Sequence, residues 1–176
     1  MKKYTLFILV AAIAATMCSC SSKKSPIKTF VMPCSECLKS ETSIRVWASG
    51  TSDSENTARK KAMTAASSEL AEQLSKTVET MTEDYTTAIN EGEAGQSKSF
   101  LSKKSLIAAK QVLEGATVIC DEWTKDESGQ YTNYIVLELK GSDFIKALLN
   151  EVKDEQDIDE KLINDIFMKK IKESNN

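Results

Sequence analysis

Ile44, Val46 and Ala48 alternate with Arg45, Trp47 and Ser49, the period of two that marks a strand with one buried face. Gly50 closes this strand, and Ser52 and Glu55 have the spacing of a capping box, so a helix is expected to start there. The period then changes. Ala58, Ala62, Ala66, Leu70, Leu74, Val78, Met81, Tyr85 and Ile89 recur in steps of four and three, with no Gly or Pro from Thr51 to Glu91. The alanines at the start of this stripe let the helix lie close to a sheet, with Val46 and either Val118 or Ile135 across from it. Its second half is bulkier, and the Thr-rich C-terminal part has weaker helix propensity, which leaves room for a bend or break.

Glu91 to Gly95 holds two glycines and predicts a turn. Phe100–Leu113 predicts a second helix with Leu101, Ile107, Ala108 and Val112 facing inward, and Gly115 is placed to end it. Thr117–Lys125 and Tyr131–Leu139 predict two strands around the turn Asp126-Glu127-Ser128-Gly129. Both faces of the second strand's middle are apolar, as expected of a strand covered on two sides. Trp47 and Trp123 fall opposite the more apolar face of their strands and are expected to cover the sheet's second side. Ser142 and Asp143 are expected to cap a helix that buries Phe144, Ile145, Leu148, Leu149 and Val152. Beyond the charged run 153–157 comes an amphipathic helix carrying Ile158, Leu162, Ile163, Ile166, Phe167 and Ile171, expected to pack on its own domain. The order β–α–α–β–β–α–α predicts an α+β fold: a small, mostly antiparallel three-stranded sheet packed against a long helix, with C-terminal helices.

The N-terminus follows a different pattern. Lys2 and Lys3 precede an uninterrupted apolar run from Leu6 to Ala15, then Thr16-Met17-Cys18-Ser19-Cys20 and a polar stretch. This is the layout of a secretory signal, and the run is too short for a comfortable transmembrane helix. The segment ending in Cys20 resembles the bacterial lipobox. Cys20 as lipid acceptor puts small Ser19 before the cut, whereas Cys18 would put bulky Met17 there. The expected organisation is a lipoprotein signal peptide at 1–19, a lipid-anchored tether at 20–41 and a single α+β domain at 42–176. Ser21 carries no aspartate-type retention signal and no acidic cluster follows, which favours the outer membrane and its periplasm-facing leaflet.

Export would put the remaining cysteines in an oxidising compartment. Cys34 and Cys37 form a Cys-x-x-Cys, expected to close a small structural disulfide in the tether. A redox dithiol there lacks the usual strand leading into a helix, and a zinc site lacks both a second Cys-x-x-Cys and histidine. Cys120 lies two residues from Val118, hence on the same strand face, and reads as a small buried hydrophobe; pairing with Cys34 or Cys37 stays open.

Charge and composition mainly exclude. The chain of 176 residues has a net charge of −3, and loss of Lys2 and Lys3 with the signal makes it −5. A mildly acidic chain without basic clusters interleaved with aromatics has no footprint for nucleic acid. It contains no histidine, which removes the commonest general base and metal ligand. No catalytic residue, cofactor or metal site is expected. The acidic residues Asp154, Glu155, Asp157, Asp159 and Glu160 lack the spacing and glycine of a calcium loop and read as a solvated helix face.

Arg45-Val46-Trp47-Ala48-Ser49-Gly50, the helix with Ala58-Arg59-Lys60-Lys61-Ala62 and Glu69-Leu70-Ala71, and Leu113-Glu114-Gly115 before the hairpin resemble the Lpp-twenty family of small bacterial lipoproteins. The same pattern resembles the N-terminal module of certain flagellar accessory proteins. The likeness covers Ile44 to Leu139. It implies an envelope location and a binding or assembly role, and it supplies no catalytic residue. The expected function is a lipid-anchored, non-catalytic envelope module whose partners are the membrane and an envelope protein or glycan, or a second copy of itself. Two alternatives stand beside it: a thiol–disulfide or thiol-sensing protein using Cys34 and Cys37, and a surface lipoprotein contacting a host or nutrient.

Overall fold

The structure is a computed structural model that describes residues 32–89, 94–153 and 158–174. Its elements are a short 3-10 turn (Ser35–Cys37), then β1 (Ser43–Ser52), α1 (Glu55–Ala88), α2 (Ala94–Leu113), β2 (Thr117–Lys125), β3 (Tyr131–Lys140), α3 (Gly141–Val152) and α4 (Glu160–Ser174). The fold is α+β. One antiparallel sheet has the order β1-β3-β2, so the hairpin's second strand is central, and the long helix α1 packs on the sheet.

Alternation decides which side chains meet α1. Ile44, Val46 and Ala48 of β1 and Ile135, Leu137 and Leu139 of β3 are buried on that face, with Ile44 paired to Leu139, Val46 to Leu137 and Ala48 to Ile135. Against them lie Ala62 and Ala66, both fully buried, together with Leu70. Gly50 fixes how close the helix comes: a Cβ there would lie 2.3 Å from the Ala58 carbonyl oxygen and 2.5 Å from the Ala62 nitrogen. Only a residue without a side chain lets strand and helix backbones approach this far.

At 34 residues, α1 is about 51 Å long and outruns the sheet. Its distal half, Leu74, Val78, Met81 and Tyr85, forms a second packing layer with the helices. The Phe144 and Phe167 rings stack at 4.4 Å, joining α3 to α4, and the buried Tyr85 hydroxyl accepts a hydrogen bond from the Asp159 backbone at 3.0 Å. Lys170 reaches Asp84 at 2.8 Å and ties α4 to α1.

Several local expectations are corrected. β1 continues to Ser52, which pairs with Tyr131, so Ser52 cannot cap the helix; Ser54 is the N-cap residue and makes no side-chain cap bond. The ladder with β3 wins over the local capping pattern. α2 begins at Ala94, ahead of Phe100, and takes in Gly95; Gly92 lies outside the described residues. Its inward stripe is Leu101, Ser105 and Ala108, while Ile107 is 43% exposed because it sits on the far side of that stripe. α3 starts directly at Gly141, whose N–H donates to Thr42 O at 2.9 Å, so Ser142 and Asp143 lie in its first turn instead of capping it.

The hairpin matches its expected turn. Gly129 supplies φ +88°, and the Asp126 carboxylate accepts hydrogen bonds from Ser128 and the Gln130 backbone, which hold its acid below the usual range.

Candidate functional site: the stapled second face of the sheet

The face of the sheet away from α1 is where the sequence's chemistry-bearing residues gather. A β-bulge creates this arrangement. Val118 pairs with Leu137 but Cys120 pairs with Val136, so Ile119 is an extra residue and the side-chain alternation flips. Val118 stays on the α1 side, at 36% exposure and outside the core, and Ile135 is the residue that meets the alanine stripe. Cys120 is turned to the opposite face. The expectation that the two share a face fails because an inserted residue shifts a period of two by one step. The same flip corrects Trp123: it pairs with Asn133, on the α1 side, and is 41% exposed. Trp47 does lie on the second face, beside Tyr134 with ring centroids 6.0 Å apart.

Cys34 and Cys120 form a disulfide with Cα atoms 5.8 Å apart, and Cys37 is a free, half-buried thiol. The expected Cys34–Cys37 bond is therefore overturned. The physical reason is again the bulge, which aims Cys120 at the segment crossing the second face. That segment has the composition of a tether, yet the compact unit starts at Met32. Pro33 O accepts a 2.9 Å hydrogen bond from the Trp47 indole, and Arg45 Nη1 donates to Cys37 O at 3.0 Å and Lys39 O at 2.7 Å. The same guanidinium is paired with Glu138, its cross-strand neighbour, at 2.7 Å. Beneath this strap Val136 is fully buried, so the central strand is covered on both faces as its composition suggests.

Two electrostatic features mark the strap. Burial pushes the Glu138 carboxyl up, but hydrogen bonds from Arg45 and Ser43 and the charges of Arg45 and Lys140 outweigh this and hold it below the usual carboxylate range. Cys34 adopts φ 62° and ψ 8°, and among the described residues it is the one non-glycine with positive φ. The left-handed region costs such a residue about 1–2 kcal/mol.

Cys34, Cys120 and Glu122 place one potential ligand atom each within 4.8 Å of one another. With both sulfurs bonded to each other, only the carboxylate could bind a cation, so the group is a staple with an acid beside it. Its Glu122 oxygen lies 3.6 Å from Cys120 Sγ.

Elsewhere, a groove of about 570 Å³ runs between α1 and α2, with Val78, Leu106, Ala109 and Leu113 among its lining residues and Leu106 58% exposed. On the sheet's α1 side, Asp121 is bonded to Arg59 at 3.0 Å and to the buried Asn133 amide at 2.6 Å. Sequence reasoning missed the strap: the indole bond to Pro33 and the Arg45 fork have no local signature, and the unpaired third cysteine was the only hint. Cys20 and the signal segment lie outside the described residues, as do Asp154, Glu155 and Asp157. Among the described residues no helix is long and apolar enough to cross a membrane. No protein-family model, no curated protein and no solved structure matches the chain.

Proposed function

We propose that the chain is a lipid-anchored module of a bacterial cell envelope, cut before Cys20 and acylated there, which binds or assembles with another envelope component and performs no catalysis. The observation that carries this reading is the N-terminal layout: Lys2 and Lys3, the apolar run Leu6 to Ala15, and small Ser19 before Cys20. Acylation on more than one chain would give the stable anchoring that a single chain does not. The Cys34–Cys120 disulfide supports it, because such bonds persist in exported proteins and are rare in the cytosol. The non-catalytic part rests on the chain's lack of histidine and on a second face where Arg45 and Glu138 are spent on each other and on the strap. The outer membrane's periplasm-facing leaflet is the proposed location, from Ser21 and the polar residues after it. The resemblance to the Lpp-twenty family points to the same compartment.

Whole-cell crosslinking followed by identification of the adduct tests the binding role. An envelope protein, a glycan or a second copy of the chain captured reproducibly supports it. Protease accessibility on intact cells decides the leaflet: cleavage of the domain would mean display on the cell surface, against the proposed location.

A further inference from the structure

We propose that Cys34, Cys37 and Cys120 form an internal thiol–disulfide exchange site, in which Cys37 displaces Cys120 from Cys34 and so releases the strap from the sheet edge. Three observations point to it. Cys34 is bonded to Cys120 while Cys37, one turn away, is a free thiol. The Cys37 N–H donates to Cys34 O at 3.0 Å, so the two are the ends of a tight turn. The Cα atoms at the ends of such a turn lie within about 7 Å, a range that overlaps the 4.4–6.8 Å or so that disulfides span. Cys34 thus has, besides its bonded partner Cys120, a second cysteine at the backbone spacing of a tight turn. Third, Cys34 sits in a left-handed conformation, with φ 62°, a sparsely populated backbone state of the kind that clusters at switch regions.

The step balances within the chain. The Cys37 thiolate attacks Cys34 Sγ, the Cys34–Cys37 bond forms as Cys34–Cys120 breaks, and the proton lost by Cys37 ends on Cys120. No oxidant or reductant is consumed. The Glu122 carboxylate lies 3.6 Å from Cys120 Sγ, beside the sulfur on which the proton ends. Before exchange, the disulfide ties the segment beginning at Met32 to the edge strand β2; afterwards the segment keeps its non-covalent ties, among them the Trp47 and Arg45 hydrogen bonds, the Ser43 N–H bond to Ser40 and the Glu41–Lys172 ion pair. On the anchored reading, which this consequence alone rests on, freeing residues 32–41 would lengthen the tether by less than the ~33 Å of ten extended residues, because the new Cys34–Cys37 bond keeps that turn closed.

The test is disulfide mapping of the full-length protein in detergent. It is incubated near pH 8.5, where free thiols ionise appreciably, without reductant, then acid-quenched, alkylated with N-ethylmaleimide and digested. The expected result is a fraction of molecules with a Cys34–Cys37 bond and alkylated Cys120, lost entirely in Cys37→Ser. In Cys120→Ser, mild oxidation should close Cys34–Cys37 in most molecules. If Cys120 is never alkylated in the parent, or is alkylated equally in Cys37→Ser, or if Cys34 and Cys37 stay open in Cys120→Ser, exchange is refuted. The Cys34–Cys37 bond is read directly by mapping whether or not Cys20 carries lipid, so failure here leaves the anchoring proposal untouched.

Discussion

Replacing Ala62 with Leu should destabilise the domain, and the same replacement at Ala65 should not. Ala62 is fully buried at the closest approach of α1 to β1, and its own backbone nitrogen lies where a side chain on Gly50 would point. A leucine there brings three extra carbons into a space bounded by backbone, which cannot rotate aside. Moving α1 outward would also loosen the flanking Ala58 and Ala66 contacts, both of which are fully buried. Overpacking of this kind costs about 1–3 kcal/mol, and the rigid boundary argues for the upper half of that range. Ala65 is on the exposed side of the helix, where substitutions usually stay within about 0.5 kcal/mol. Urea denaturation of the mature chain reads the difference. With an m-value near 2 kcal/mol/M, about 2 kcal/mol lowers the midpoint by roughly 1 M. Equal midpoints for parent and Ala62→Leu, or a larger loss at Ala65→Leu, would show that the helix–sheet seam is misassigned.

Three further outcomes follow from particular contacts. Ser105 is fully buried in α2 with a hydroxyl that has no hydrogen-bond partner among the described residues, so Ser105→Ala should raise stability by about 1 kcal/mol, combining relief of that group with better helix propensity; a loss of similar size in denaturant melts would contradict this. Glu138 has a depressed carboxyl, so its contribution is full above the ordinary glutamate range and is lost as pH falls through the lower folded value; stability of the parent should fall more steeply on acidification than that of Glu138→Gln, and parallel acid profiles would contradict this. Cys120→Ser opens a bond between residues 86 apart, for which the chain-entropy relation gives at most about 4–5 kcal/mol; a melt unchanged by the substitution, or by reduction of the parent, would mean that the staple does not constrain the unfolded chain.

Much of the architecture was legible because it is periodic. The α1 stripe from Ala58 to Tyr85, the two hairpin strands and the apolar faces of α3 and α4 follow from steps of 3.6 and 2, which sequence displays directly. What was not legible depends on single residues. The bulge at Ile119 adds one residue to a strand without altering its composition, yet it decides which face Cys120 takes and hence which cysteine Cys34 finds. The strap was read as tether because its Ser, Lys and Pro content has no period, while its attachment rests on long-range bonds from Trp47 and Arg45. Capping failed at Ser52 and Ser142 for a shared reason: strand pairing and an abrupt strand-to-helix junction took those backbones first.

The central claim, anchoring through Cys20, is tested most directly by mass spectrometry of the N-terminal peptide from protein extracted from membranes, alongside fractionation of Cys20→Ala. The expected result is a mature chain that begins at Cys20 with acyl groups on it, and a Cys20→Ala protein that is released from the membrane or left unprocessed without acyl mass. A mature N-terminus elsewhere, or an unmodified Cys20 in a protein that still pellets with membranes, would contradict the account.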